Sequence, residues 1–183
     1  MAAQQGDLDG LCGLYAVTNA LTLLYPEHMK LGAQRGVLRA CATALHRWPE
    51  ILWFGTTARE MSDMLHSASG YCKREFNEIP RWQRLYTKRK PPTIDDYLAT
   101  LRSLITGTNA VAIVGVEHPW SHWIVISSMG KTTVKCADSQ NRKGLTFKLD
   151  EAHLGAPKKP DATGVWLDHF STFVISRDVK DDQ

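Results

Sequence analysis

Cysteine is scarce in this chain, with four among 183 residues. That is too few for a small disulfide-knit scaffold, although an even number leaves pairing open. No run of about 18 uncharged apolar residues occurs, so no membrane-crossing helix is expected. The opening Met1-Ala2-Ala3-Gln4-Gln5-Gly6-Asp7 lacks the basic-then-apolar pattern of a secretory signal peptide. The expectation is a cytoplasmic protein, or one delivered into a target cell by a route that reads no such peptide. In a reducing compartment its thiols should be free. Charge of one sign is missing too. The 22 basic and 19 acidic residues give a formal net charge of +3, too mild to argue for nucleic acid. No internal repeat is visible. A composition 43% hydrophobic and 22% charged excludes disordered, collagen-like and coiled-coil chains. The length fits one domain spanning 1–183.

The first half reads as helical. Residues 12–25 are apolar nearly all round and stop before Pro26, the pattern of a buried central helix. Residues 31–47 carry a stripe at Leu31, Leu38, Cys41, Ala42 and Leu45, with Arg35, Arg39 and Arg47 facing away. Thr57 and Glu60 form a capping-box pattern that opens a short helix with Ala58, Met61 and Leu65 on one face. Residues 73–92 read as a linker or exposed excursion. Lys73, Arg74, Arg81, Arg84, Lys88, Arg89 and Lys90 alternate there with Phe76, Trp82 and Tyr86, before Pro91-Pro92. Such a segment could bind an acidic partner or nucleic acid, but a solvated face or loop is the commoner fate of a charge run. Thr93 then caps a helix whose stripe is Tyr97, Leu98, Leu101 and Ile105.

From Asn109 the period changes. Residues 110–117, 122–128, 132–138, 144–149 and 171–176 are β-branched runs separated by turn residues. Ser128-Met129-Gly130-Lys131 reads as a hairpin turn. Gly130-Lys131-Thr132 has a P-loop ending, but Val125 stands where the first glycine is required. Helices first and an antiparallel sheet second make an α+β fold, with a helical half at about 1–108 and a sheet half at about 109–178.

Cys12 falls on the first turn of the buried helix. A helix N-terminus carries partial positive charge and unpaired N–H groups, both of which favour a thiolate nucleophile. The small Ala16, Asn19 and Ala20 on its face would let a sheet approach closely. A free cysteine is more often a small buried hydrophobe, so its neighbours decide. His122 opens one strand and Asp138 closes the next. Two strands joined by a tight turn run antiparallel, which brings the start of one beside the end of the other. A carboxylate there fixes the imidazole tautomer and stabilises its charged form.

Asp9-Gly10-Leu11-Cys12-Gly13-Leu14-Tyr15-Ala16-Val17-Thr18-Asn19-Ala20, then His122-Trp123-Ile124-Val125-Ile126 and Asp138, resembles a papain-like cysteine peptidase. The layout is similar to that of C39-like peptidases, Josephin and ovarian-tumour-type deubiquitinases, and small bacterial antagonism effectors. The resemblance implies a papain-like α+β fold with a central nucleophile helix packed on an antiparallel sheet. It implies Cys12 as nucleophile, His122 as base and Asp138 as orienter. The papain pattern places a glutamine before the nucleophile as an oxyanion donor. Gln5 takes that part here, seven residues ahead, with Gln4 farther still. The ovarian-tumour pattern Asp-Gly-x-Cys offers Asp9 instead, although the usual asparagine is Leu11. Asp9 also reads as a simple helix N-terminal carboxylate.

The resulting expectation is a thiol protease that cleaves a protein substrate through a thioester. Glutamine deamidases, amidases and acyltransferases share the triad, and an inactive papain-like binding module is a further alternative. Only about 11 residues precede Cys12, so no inhibitory propeptide is expected. Control would then rest on specificity, location or a separate protein. A delivered toxin or effector, neutralised by an immunity protein over the cleft, fits that constraint. Trp120 and Trp123 flank His122 as candidate substrate contacts, with core packing the equal alternative. His118 and His122 are four apart, a metal-ligand spacing on helices, but Pro119 and the strand context break it. No metal and no cofactor are expected. Cys41, Cys72 and Cys136 read as buried thiols.

Overall fold

The computed structural model describes residues 10–107, 109–141, 144–159 and 161–177. Five helices come in the order α1 (Cys12–Leu24), α2 (Leu31–Thr43), α3 (Glu50–Phe54), α4 (Ala58–Phe76) and, after one strand, α5 (Ile94–Ile105). The strands are β1 (Arg81–Arg84), β2 (Ala110–His118), β3 (His122–Met129), β4 (Thr133–Ala137), β5 (Leu145–Lys148), β6 (Ala152–Leu154) and β7 (Val165–Ser176). They form one sheet in the order β1-β7-β2-β3-β4-β5, antiparallel along that path. Beside β1, β6 pairs with the first residues of β7 in parallel. The fold is α+β.

Both faces of the sheet are covered, which explains why residues 110–116 are buried without alternation. On one face Val111, Ile113, Trp123, Val125, Phe173 and Ile175 meet α1, α2 and α4. On the other, Ala112, Val114, Ile124, Ile126 and Val174 meet the Tyr97, Leu98, Leu101 and Ile105 stripe of α5. Helix α1 lies between β2 and β3 on one side and α2 and α4 on the other. Its all-round apolar sequence follows from that position.

Several local expectations are corrected. Leu31 is 62% exposed, and the second helix ends at Thr43 rather than at residue 47. Val37 and Cys41 are its buried residues. The helix after Thr57 is long, because Met64, Ala68 and Cys72 continue its buried stripe to Phe76. The stretch 73–92 is not a free linker. It begins inside α4, and Arg81–Arg84 forms an edge strand on β7. Phe76 and Trp82 pack on the α1-side core, and Tyr86 on the α5-side core. The segment counted with the helical half therefore supplies a strand.

The capping chemistry is present. Thr57 Oγ1 accepts from the Glu60 N–H, and the Glu60 carboxylate accepts from the Thr57 N–H at 2.8 Å. Such a cap contributes about 1 kcal/mol. Arg47 adds two bonds to the same carboxylate, at 2.7 and 2.8 Å. Chiefly through Arg47, the Glu60 carboxyl is held down to about 2. The chain entering α3 is thereby tied to the start of α4. The connection between those two helices is held at both ends, and it forms one wall of the site below.

Candidate active site

Cys12 begins α1, and its approach is set by a close contact. The Gly10 N–H donates to the Leu52 carbonyl at 2.7 Å, and a Cβ on Gly10 would come within 2.5 Å of the Ile51 carbonyl. Only glycine lets the chain pass so near α3. One residue after the cysteine, Gly13 lies against Thr56, where a Cβ would stand 2.0 Å from Oγ1. These two contacts seat the start of α1 on the segment from α3 to α4.

The β3–β4 hairpin brings the other two residues. Val125 pairs with Ala137, which sets Asp138 and His122 diagonally across the ladder. His122 Nε2 and Asp138 Oδ1 are 2.8 Å apart. A second acceptor role of the same oxygen, toward the Gln140 N–H at 3.0 Å, fixes the carboxylate from behind. Cys12 lines the same cleft as the imidazole, and its thiol donates to the Gly10 carbonyl at 3.9 Å. With Nε2 engaged by Asp138, Nδ1 is the ring nitrogen left for sulfur. All three side chains are buried or nearly so.

Burial opposes a charge on the imidazole. The bonds to Asp138 and Cys12 outweigh that penalty and push His122 up to about 9. Desolvation likewise opposes the Asp138 charge, but His122 and the Gln140 N–H hold its carboxyl below the ordinary range. The other cysteines contrast with this setting. Cys41, Cys72 and Cys136 are free and buried, and desolvation pushes all three thiols up, Cys72 to about 12.

Cys12 and His122 line a cleft of about 210 Å³, and Asp138 meets the imidazole without lining it. The α3–α4 connection from Phe54 to Ala58 forms part of it. The end of β2 (Gly115 to Glu117), the start of β3 (Ser121 to Trp123) and Ser171 complete it. Ser171 reaches the cleft through a break in β7. Val114 pairs with Thr172 and Gly115 with Asp168, so His169, Phe170 and Ser171 bulge from the ladder. Arg84 holds the bulge by donating to the Phe170 carbonyl at 2.6 Å.

Of the two tryptophans, Trp123 belongs mainly to the core. It is 7% exposed, and its indole N–H donates to the Thr56 carbonyl at 3.0 Å, joining β3 to the α3–α4 connection. Trp120 is exposed. Gln5, its more distant neighbour Gln4 and Asp9 lie outside the described residues. No group of three or more histidine, cysteine or acidic side chains suited to a metal comes together among the described residues. No described helix is long and apolar enough to cross a membrane. Phe54, Thr56, Glu117 and Ser171 escaped sequence reasoning. Only Phe54 carried a signal, as an aromatic pair with Trp53 directly before a glycine in a stretch too short to bury both. Compared with known proteins, the chain matches no family model and no curated protein.

Proposed function

We propose that the chain is a papain-like cysteine peptidase acting on protein, with Cys12 as nucleophile, His122 as acid and base, and Asp138 as the group that orients the imidazole. One observation carries this reading. A buried carboxylate is hydrogen-bonded to an imidazole, and a thiol at the N-terminus of a central helix lines the same open cleft as that imidazole. A buried structural cysteine would need neither partner.

The chemistry follows from the geometry. Asp138 accepts the Nε2–H, so Nδ1 faces sulfur and takes the thiol proton. The thiolate attacks a carbonyl carbon, and the resulting oxyanion is met by the Cys12 N–H at the helix start, with Gln5 as the expected second donor. The protonated His122 gives its proton to the departing amine, leaving a thioester. Water, losing a proton to the same ring, then releases the acid and restores the thiol. The raised His122 value suits this cycle, because it favours the charged imidazolium that gives its proton to the departing amine.

The test is a comparison of protein termini in cells that express the wild type or Cys12→Ala. New termini confined to the wild type support a peptidase. Identical termini overturn it, and a mass gain of about 1 Da on glutamine side chains would move the assignment to deamidation.

A further inference from the structure

The cleft carries one feature that bond cleavage itself does not use. Glu117, at the end of β2, lines it and is exposed. Among the described lining residues it is the sole formal charge apart from the imidazole, and none is lysine or arginine. Its carboxylate makes no ion pair among the described residues. This is notable on a chain with net positive charge, since the lone carboxylate makes the mouth locally negative.

The chemistry around it is complementary. Ser121 and Ser171 bring hydroxyls to the same cleft, each able to accept a hydrogen bond. Phe54 brings an aromatic ring that is 82% exposed, a state that leaves a large apolar face wet. A carboxylate, hydroxyl acceptors and a bare aromatic face are what a guanidinium or ammonium side chain needs. The carboxylate neutralises its charge, the hydroxyls take its N–H groups, and the ring covers its stem or its cationic face.

We propose that Glu117 selects substrates carrying arginine or lysine next to the attacked carbonyl. The proposal rests on the thiol chemistry above, and it adds the class of side chain that the cleft receives. Glu117 is a specificity residue here; no proton or bond of the reaction passes through it.

Peptidyl acyloxymethyl ketones, which alkylate an active thiol, provide the test. Four otherwise identical probes carry arginine, lysine, citrulline or glutamate beside the ketone, and mass spectrometry of the full chain follows the rate of Cys12 modification. Citrulline matches the shape of arginine without its charge. The arginine and lysine probes should react roughly five- to tenfold faster than citrulline, the size that an exposed ion pair with a cation–π contact supplies. Glutamate should be slowest. Glu117→Gln should shrink the arginine-to-citrulline ratio, and Glu117→Arg should reverse the order of the arginine and glutamate probes. Equal rates for arginine and citrulline, or an order unchanged in both variants, overturn the assignment of Glu117 while leaving the thiol chemistry standing. So does rapid reaction of Cys12 with iodoacetamide when none of the four probes modifies it. If iodoacetamide modifies Cys12 no faster than Cys41 or Cys72, both the thiol chemistry and this specificity fall together.

Discussion

His122 Nε2 lies 2.8 Å from Asp138 Oδ1, and that bond decides which face of the ring the sulfur of Cys12 meets. The carboxylate can only accept, so Nε2 keeps its proton, and in the neutral ring the lone pair lies on Nδ1. Asparagine at 138 can present an N–H to the ring and invert that tautomer. Asp138→Asn is expected to lower turnover roughly 10²–10⁴-fold with the fold intact. Circular dichroism and turnover on one substrate check both halves. Full activity in this variant would remove Asp138 from the mechanism.

The pH dependence of stability follows from the same ring. His122 rises from an ordinary 6.5 to about 9, with burial opposing and the Asp138 and Cys12 bonds prevailing. A proton held more tightly by the folded chain stabilises it. That contribution is complete below about pH 6.5 and is lost as the pH climbs through about 9. Asp138, held low, has the opposite sign: its contribution is present above the ordinary carboxylate range and is lost on acidification. Melting temperature should therefore decline between about pH 6.5 and about pH 9, and His122→Gln should flatten that decline. An equally steep fall in the variant would assign it to other groups.

Alkylation should separate the four thiols. Cys41 and Cys72 are fully buried and Cys136 is 5% exposed, and desolvation raises all three thiols, so iodoacetamide near neutral pH should spare them until denaturant is added. Cys12, at the cleft and beside His122, should react in the native protein. Peptide mapping after a brief exposure reads the difference, and comparable modification of all four would contradict it.

The seat of α1 can be tested with a pair of glycines. A Cβ on Gly13 would collide with Thr56 Oγ1 at 2.0 Å and press Met64 Cε at 3.3 Å. Gly13→Ala should cost about 1–3 kcal/mol in denaturant unfolding. Gly32, exposed in α2 with nothing within 4 Å of a Cβ, should tolerate alanine and gain about 0.5 kcal/mol. Equal effects would mean that the Gly13 contact relaxes freely.

Much of this arrangement could be read from local chemistry. Cys12 at the head of an apolar helix, the Thr57 capping box and the tight turn between β3 and β4 each depend on a few neighbouring residues. The turn then places Asp138 beside His122 by strand geometry alone. What escaped depends on distant partners. Arg81–Arg84 is polar because it is an edge strand, and its pairing with β7 lies far along the chain. The first half of β7 is hidden by Trp166, Asp168 and His169, whose polarity reflects a bulge and a half-covered margin. α3 has five residues, too few for a helical period to show. Glu117 ends a strand with an ordinary surface residue, and only the assembled cleft singles it out.

The dispersal of the site along the chain has a temporal consequence. Cys12 is translated before Thr56, and His122 and Asp138 follow only much later. Until β3 and β4 pair, the sulfur has neither base nor carboxylate. The nascent chain therefore carries an unarmed thiol until β3 and β4 have been made. Catalytic competence waits for this hairpin to dock on α1, a contact between segments far apart in the chain, and contacts of that kind form slowly. Turnover at Cys12 is in this sense a readout of finished folding, and truncated chains lacking β4 should show none.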